Sequence, residues 1–521
     1  MAGKDEWWRG AVIYQIYPRS FKDNNGDGIG DLAGIAEKLD YVASLGVDAV
    51  WISPFFKSPM KDYGYDVSDY RDVDPMFGTL DDFRVLLEKA HRLKIKVILD
   101  LVLSHTSDQH HWFQESRQSR TNPKADWYVW ADPKPDGSPP NNWQAFFGGP
   151  SWTYDVRRGQ YYMHNFLSSQ PDLNMHNPEV QDAALNIFRF WMDFGVDGFR
   201  LDVANCYMHD RMLRDNPVAP EPAPQFFNVA FPTPFTMQKH THDFSQPENL
   251  QFIKRIRSTL DEYKDRMAVA EIAFCENTEQ VSLDYTFGDK HLHTAYSFML
   301  ISGNKPSASY IRDSVQKLMD LGDDGWPSWA FSNHDVVRVM SRWGNAVGND
   351  PRLARTLIAL LGSLRGTVFM YQGEELGLPD ADIPYDRIQD PWGKFLYPLW
   401  QGRDGCRTPM PWADDYIGGF SHAQDSWLPV PESHKLMNVA AQEEDPHSTL
   451  NFARRFIAWR KQQKELQTGD MKFIDTGRDD LLSYMRGDIL CQFNLGPQKT
   501  DDLNPFEARF TKGNDLVFTT G

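Results

Sequence analysis

The sequence predicts a closed parallel (β/α)8 TIM barrel, an α/β fold, carrying an inserted domain and a small C-terminal antiparallel β-domain. Three observations predict it. Short, near-continuous apolar runs of the kind shown by strands buried on both faces recur through most of the chain. Amphipathic helical stretches follow most of them. The two long interruptions both leave from the C-terminal ends of predicted strands. Strands are expected at Val12–Tyr17, Ala49–Ser53, Val97–Leu103, Gly198–Val203, Val269–Ile272, Thr294–Leu300, Ser328–Ser332 and Val368–Gln372. Helical periods are expected at Gly34–Ser44, Leu80–Leu93, Pro178–Phe194, Asn249–Tyr263, Ala308–Leu318, Asp350–Leu364 and Leu450–Gln463.

After the third strand, residues 104–170 are rich in Pro, Gly, Trp and Asn and show no helical period. That is too long for an ordinary loop, so a small inserted domain is expected there. Residues 204–247, after the fourth strand, form a second Pro-rich excursion. From about Asp470, alternation punctuated by turn residues predicts a small β-domain. The expected division is therefore 1–103 with 171–467 as barrel, 104–170 as insert and 468–521 as C-terminal domain.

Composition narrows the function classes. A net charge of −18 over 521 residues argues against nucleic acid or an anionic membrane as partner and suits a neutral substrate. No apolar run reaches the roughly 18 residues of a membrane span. Residues 1–8 lack the apolar core of a signal peptide, so a cytoplasmic chain is expected. Cys206, Cys275, Cys406 and Cys491 are scattered, with no CxxC pair, and read as free thiols rather than zinc ligands or a disulfide framework. No organic cofactor is expected, and nothing in the sequence sets an oligomeric state.

The chemistry is carried at strand ends. Gly198-Phe199-Arg200-Leu201-Asp202-Val203 reads as a buried strand whose alternation puts Arg200 and Asp202 on one side and Phe199, Leu201 and Val203 on the other. A carboxylate beside a fixed cation stays ionised at neutral pH and can act as a nucleophile. Other predicted strand ends supply Asp100 and His105, then Glu271, then His334 and Asp335. Brought to one pocket by a barrel, such carboxylates suit glycosidic bond cleavage, in which one attacks and another, protonated, gives its proton to the leaving oxygen. Glu271 lies between Ala270 and Ile272, where desolvation is expected to raise its pKa as an acid catalyst needs.

These residues resemble a known family. Asp100-Leu-Val-Leu-Ser-His105, Gly198–Val203, Glu271 and Phe331-Ser-Asn-His-Asp335 resemble the four signature regions of the α-amylase superfamily (glycoside hydrolase family 13). Gln170-Pro-Asp-Leu-Asn174 is similar to a fifth region that marks its bacterial oligo-1,6-glucosidase and α-glucosidase branch, and residues 46–54 resemble a sixth. The resemblance runs in order along nearly the whole chain. It implies a retaining mechanism with Asp202 as nucleophile, Glu271 as acid and then base, and Asp335 holding ring hydroxyls. It also implies that His105 and His334 bind glucose hydroxyls while Arg200 orients Asp202. For such a pair the carboxyl groups should lie about 5–5.5 Å apart. Ser104 stands where many members have an Asn that helps bind a calcium ion in the inserted domain, so that ion is not expected here.

Lys61-Asp62-Tyr63-Gly64-Tyr65-Asp66 and Gly402-Arg403-Asp404-Gly405-Cys406-Arg407 are similar to pocket-closing segments of α-glucosidases. The resemblance implies that Asp62 and Arg403 grip the terminal 4-hydroxyl, with Arg407 as the rival arginine, and that Tyr65 stacks beneath the sugar. Phe147 and Phe166 are candidates for apolar pocket walls, with packing inside the insert as the alternative.

Near the N-terminus, Asp23, Asn25, Asp27, the Ile29 carbonyl and Asp31 place oxygen ligands at alternate positions, as the first part of an EF-hand loop does, with Gly28 at the turn. The twelfth position is Gly34 and no helix precedes the loop, so it is no EF-hand. The loop resembles the structural Ca²⁺ or Mg²⁺ site of oligo-1,6-glucosidases, an ion that supports the fold.

The expected function is exo-hydrolysis of short α-glucosides, maltose-type α-1,4 bonds before α-1,6, with glucosyl transfer to an alcohol as a second outlet. Val203 resembles the residue tied to α-1,6 preference in some relatives; its alternative role is strand packing. Phe227 and Asn228 of the 204–247 excursion are candidates to reach the aglycone. The alternatives are an oligo-1,6-glucosidase, a sucrose- or trehalose-acting relative, and an inactive binding subunit. The last is disfavoured by the retained Asp202, Glu271 and Asp335.

Overall fold

The computed structural model describes residues 6–220, 231–275, 277–303, 305–320, 322, 325–500 and 502–521. Phe227 and Asn228 lie outside the described residues. Eight strands alternate with eight helices: β1 Val12–Ile16, α1 Leu32–Ser44, β2 Ala49–Ile52, α2 Leu80–Arg92, β3 Lys96–Leu101, α3 Pro178–Phe194, β4 Gly198–Leu201, α4 Asn249–Leu260, β5 Met267–Glu271, α5 Thr278–Thr286, β6 Thr294–Tyr296, α6 Ala308–Asp320, β7 Ser328–Ala330, α7 Pro351–Ser363, β8 Thr367–Tyr371 and α8 Thr449–Arg460.

Contacts divide the chain into one unit of Met1–Ile52, Asp81–Val97 and Tyr296–Gly521 and another of Ser53–Leu80 and Ile98–Ala295. In the first, the strands run β7-β8-β1-β2. Val12 lies opposite Val368, Ile13 opposite Ala49 and Ser328 opposite Thr367, all in parallel register. The β1–β8 pairing decides the fold class, because first and last strands are neighbours in a closed (β/α)8 barrel and not in an open doubly wound sheet. Burial explains the sequence signal: β1, β2 and β8 are buried at every position.

In the second unit β4 lies between β3 and β5, with Ile98 and Met267 both opposite Gly198. Glycine is needed there, since a Cβ would sit 2.9 Å from the Met267 carbonyl oxygen. Helix starts are capped as their sequences suggest. Asp31 caps α1, Asn177 caps α3 ahead of Pro178, Asp350 caps α7 ahead of Pro351 and Ser448 caps α8.

Residues 104–170 contain Trp130–Ala131, Gln160–Met163 and Trp152–Asp155, joined in that order as a three-stranded antiparallel sheet. They also contain a helix, His111–Ser116, that the sequence reading lacked. Six residues are too few to display a helical period. The C-terminal β-domain is an antiparallel meander of β9 Met471–Ile474, β10 Leu481–Arg486, β11 Ile489–Asn494, β12 Ala508–Lys512 and β13 Asp515–Thr519. Trp459 of α8 packs on Phe510 and Phe518 of that sheet, with ring centroids at 5.1 and 4.7 Å. Among the described residues no helix is long and apolar enough to cross a membrane.

Candidate active site

In the second unit the end of β4 is organised around one guanidinium. Arg200 and Asp100 are register partners on adjacent strands, so their side chains leave the same face. Arg200 Nη1 donates to Asp100 Oδ1 at 2.8 Å and to Asp202 Oδ1 at 2.6 Å, and Nη2 meets Glu271 Oε2 at 2.5 Å. The resemblance implies that Arg200 orients Asp202, and the guanidinium also holds Asp100 and Glu271. Burial opposes the charge of Arg200, and Asp100, Glu271 and Asp202 overcome it, so the cation is held well above its ordinary range. Burial pushes the Asp100 carboxyl up to about 6 against the pull of Arg200.

β4 itself stops at Leu201 rather than running to Val203. Phe199 and Leu201 are fully buried as the alternation required, whereas Val203 leaves the strand with φ 34° and ψ 53°. Its N–H donates to Glu271 Oε2 at 3.0 Å.

Tyr65 donates from its hydroxyl to Asp100 Oδ2 at 3.1 Å, and its ring centroid lies 6.0 Å from the Arg200 guanidinium carbon. The turn that presents Asp62 and Tyr65 is shaped by Asp66, which accepts from the Lys61 and Asp62 amides and the Ser58 hydroxyl. Gln170 joins three of the predicted residues. Its Nε2 donates to Asp62 Oδ2 at 3.0 Å and lies 3.1 Å from His105 Nε2 and 3.4 Å from the Tyr65 carbonyl. Leu167 N–H donates to the Gln170 Oε1, which fixes the orientation of the amide. His105 also contacts Ser104 Oγ through Nδ1 at 2.9 Å, and burial pulls its pKa down to about 4, so the ring is neutral near pH 7.

Phe166 packs on the His105 ring at 5.2 Å and on Phe147 at 5.9 Å. Phe146 joins both to Phe235 and Phe274, at 5.3 and 4.6 Å from the latter two. Phe147 and Phe166 thus pack within an aromatic cluster that extends beyond the insert to Phe235 and Phe274 and reaches the His105 ring.

In the first unit Asp335 Oδ1 accepts from Arg403 Nη1 at 3.0 Å and from Arg407 Nη2 at 2.8 Å, while Oδ2 lies 3.2 Å from His334 Nε2. Arg403 holds Asp390 with Nε at 3.0 Å and Nη2 at 2.8 Å, the forked geometry that guanidinium and carboxylate share. Arg407 also donates from Nε to the His334 carbonyl at 2.6 Å. Both candidate arginines thus reach Asp335. Gln15 Nε2 lies 2.8 Å from His334 Nδ1; with the amide donating, the ring proton sits on Nε2, facing Asp335.

The Asp23–Asp31 loop is tied by its own hydrogen bonds. Asp23 accepts from the Gly26 and Gly28 amides, each at 2.7 Å, and from the Ser421 hydroxyl. Asp31 accepts from Asn24, Asn25 and Gly34, capping α1, and Asp27 accepts from the Ile29 amide. The donor set of carboxylates, an Asn oxygen and the Ile29 carbonyl has the chemistry of a hard-cation site. The side chains are arranged as a hydrogen-bonded loop, and among the described residues no three His, Cys, Asp or Glu side chains gather as a metal would hold them.

The sequence profile described as the α-amylase catalytic domain matches residues 15–469. The chain belongs to the α-amylase family. This family member is 51% identical over 497 residues to a probable α-glucosidase of Rhizobium meliloti strain 1021, spanning 95% of this chain and 90% of that one. It is 38% identical over 515 residues to an oligo-1,6-glucosidase of Heyndrickxia coagulans, spanning 92% and 90%. Among solved structures it is similar to the α-glucosyl transfer enzyme XgtA, with a TM-score of 0.91, 54% identity and coverage of 94% and 91%. The trehalulose synthase MutB from Pseudomonas mesoacidophila MX-45 follows the same fold at a TM-score of 0.85 and 33% identity, covering 94% and 91%.

In each unit, side chains that hold the candidate residues of this α-amylase family member were not singled out from sequence. Gln170 stands in the sequence only as the first residue of a marker motif, and Phe146, Asp390 and Gln15 stand in none. Gln170 opens the Gln170–Asn174 motif and Phe146 stands beside Phe147, so proximity was a usable signal for those two. Gln15 meets His334 across 319 residues, and Asp390 lies 13 residues before Arg403 in a stretch with no motif to mark it.

Proposed function

We propose that this enzyme is a retaining, exo-acting α-glucosidase that cleaves the non-reducing terminal bond of short α-glucosides, with glucosyl transfer as a second outlet. The observation that carries the reading is the single guanidinium shared by Asp202 and Glu271, at 2.6 and 2.5 Å. A retaining pair needs its carboxyl groups about 5–5.5 Å apart, against the roughly 6.5–9.5 Å that makes room for a water in inverting enzymes, and two carboxylates drawn to one planar guanidinium favour the shorter spacing.

Asp202 attacks the anomeric carbon while Glu271 gives a proton to the departing oxygen. The resulting glucosyl ester is then opened by water, or by an alcohol, deprotonated by Glu271. Asp335, held by two arginines, stabilises the oxocarbenium-like transition state, and His105 and His334 meet sugar hydroxyls. Tyr65 stacks beneath the ring, with Phe147 and Phe166 as apolar walls. Asp62, braced by Gln170, and Arg403, braced by Asp390, are assigned to the terminal glucose.

The similarity to a probable α-glucosidase at 51% identity supports α-glucosidase action, for which α-1,4 bonds are the first reading, and the similarity to an oligo-1,6-glucosidase keeps α-1,6 as the second. The similarity to XgtA supports the transfer outlet. The Asp23–Asp31 loop is assigned a structural Ca²⁺ or Mg²⁺ on its oxygen donor set. The decisive experiment follows the anomeric proton of released glucose by NMR on maltose, isomaltose and sucrose. Retained α-glucose supports the proposal; β-glucose, or no glucose from any of the three, refutes it.

A further inference from the structure

Val203 occupies a conformation that β-branched residues rarely adopt, and such strain persists only where the surroundings over-determine the backbone. Here they do. Asn205 grips Ala273, two residues beyond Glu271, with both ends of its amide: Nδ2 donates to the Ala273 carbonyl at 2.6 Å and Oδ1 accepts the Ala273 N–H at 3.1 Å. The same Nδ2 donates to Ser245 Oγ at 3.0 Å. Asn249 Nδ2 holds the Ala204 carbonyl at 2.8 Å, and the Cys206 N–H holds that of Val203 at 2.8 Å. The turn after Asp202 is therefore tied to the segment 271–273 by the Val203–Glu271 bond and the two Asn205–Ala273 bonds.

We propose that the turn Val203–Asn205 positions the acid/base: the main-chain N–H of Val203, locked in its left-handed conformation by Asn205, holds Glu271 by Oε2 and leaves the catalytic proton to Oε1. Oε2 already receives Arg200 Nη2 at 2.5 Å as well as the Val203 N–H at 3.0 Å. Two donors occupy both lone pairs of a carbonyl-type oxygen, so the proton that Glu271 gives and recovers is carried on Oε1. Donation from Val203 favours the carboxylate, the form that deprotonates the incoming water or alcohol. The inference rests on the reading of Glu271 as acid/base and deepens it. Asn205 and Val203 are positioning residues, acting through Glu271.

The test has two arms. In the intact enzyme labelled with ¹⁵N-valine, the Val203 amide proton is expected to shift with pH along the basic limb of kcat/KM for maltose. That shift should vanish in Glu271→Gln. In Asn205→Ala, the basic limb is expected to move upward by about one pH unit, the size of one charge-assisted hydrogen bond, with kcat falling and KM little changed. A Val203 amide indifferent to pH in the active wild-type enzyme, or an Asn205→Ala profile that overlays the wild type, overturns the positioning role and leaves the glucosidase reading intact. Full maltose activity in Glu271→Gln overturns that reading instead. The first arm needs no variant of the turn to fold.

Discussion

Replacing Arg200 by lysine separates charge from geometry at the centre of the site. The side chain is buried, and its two terminal nitrogens serve different partners: Nη1 holds Asp100 and Asp202 at 2.8 and 2.6 Å, Nη2 holds Glu271 at 2.5 Å. An ammonium keeps the positive charge but concentrates its donors at one point, so it can bridge Asp100 and Asp202 only by giving up Glu271. A hydrogen bond to a charged group contributes about 1.5–3 kcal/mol, which is roughly 10- to 150-fold in rate if it is lost from the transition state. Retention of the charge avoids leaving several buried carboxylates unpaired, an arrangement that would endanger the fold. The assay compares kcat/KM for maltose with that for α-glucosyl fluoride, whose leaving group needs little help from an acid. Arg200→Lys is expected to lose about 10- to 150-fold on maltose and clearly less on the fluoride. Equal losses on both substrates, or maltose activity within about threefold of wild type, would refute the idea that Nη2 holds the acid/base.

Asp62→Ala is expected to lower kcat/KM for maltose by roughly 10- to 150-fold, the size of one charged hydrogen bond to the terminal sugar; unchanged turnover counts against the pocket assignment. Asp390→Asn removes the charged end of the Arg403 fork and should cost at least about tenfold in kcat/KM by steady-state kinetics, with activity within twofold of wild type as the contrary result. Burial drives the Asp172 carboxyl well above the ordinary range, with the Asn165 backbone opposing. Its folded pKa therefore lies above the unfolded value of about 3.9, and its contribution to stability is full below that pH and lost as pH rises toward the folded value, by about 1.4 kcal/mol per unit. Asp172→Asn should accordingly melt higher than wild type at pH 7 but not at pH 4; a difference that does not grow with pH contradicts this. Chelation is expected to lower the melting temperature measured by scanning calorimetry and to leave the pH profile of the residual activity unmoved, whereas an unchanged melting curve removes the ion from the Asp23–Asp31 loop.

The strands were readable because burial on both faces writes itself as continuous apolar runs, and seven of the barrel helices because a period shows over about a dozen residues; α5, only nine residues long, was not expected. The carboxylates were readable because their motifs are contiguous and stand at strand ends. Local rules failed where the partner lies far along the chain. Arg200 was expected beside Asp202, two positions on, and its contacts with Asp100 and Glu271 follow only from the register of β3, β4 and β5. Gln170 meets Asp62 across 108 residues, and Arg407 meets Asp335 across 72. No period or spacing encodes such pairings.

Val203 shows the division most sharply. By alternation its side chain belonged with Phe199 and Leu201 on one face of a strand. The structure ends the strand two residues earlier and turns the backbone, so that the Val203 N–H meets Glu271 and the Asn205 amide meets Ala273. The sequence by itself determined the strand–helix order and which residue types stand at the strand ends, both properties of contiguous segments. The tertiary structure alone decided how one guanidinium is shared, which arginines reach Asp335 and how the turn after the nucleophile meets the acid. Those depend on hydrogen-bond geometry between segments that only folding brings within about 3 Å of each other.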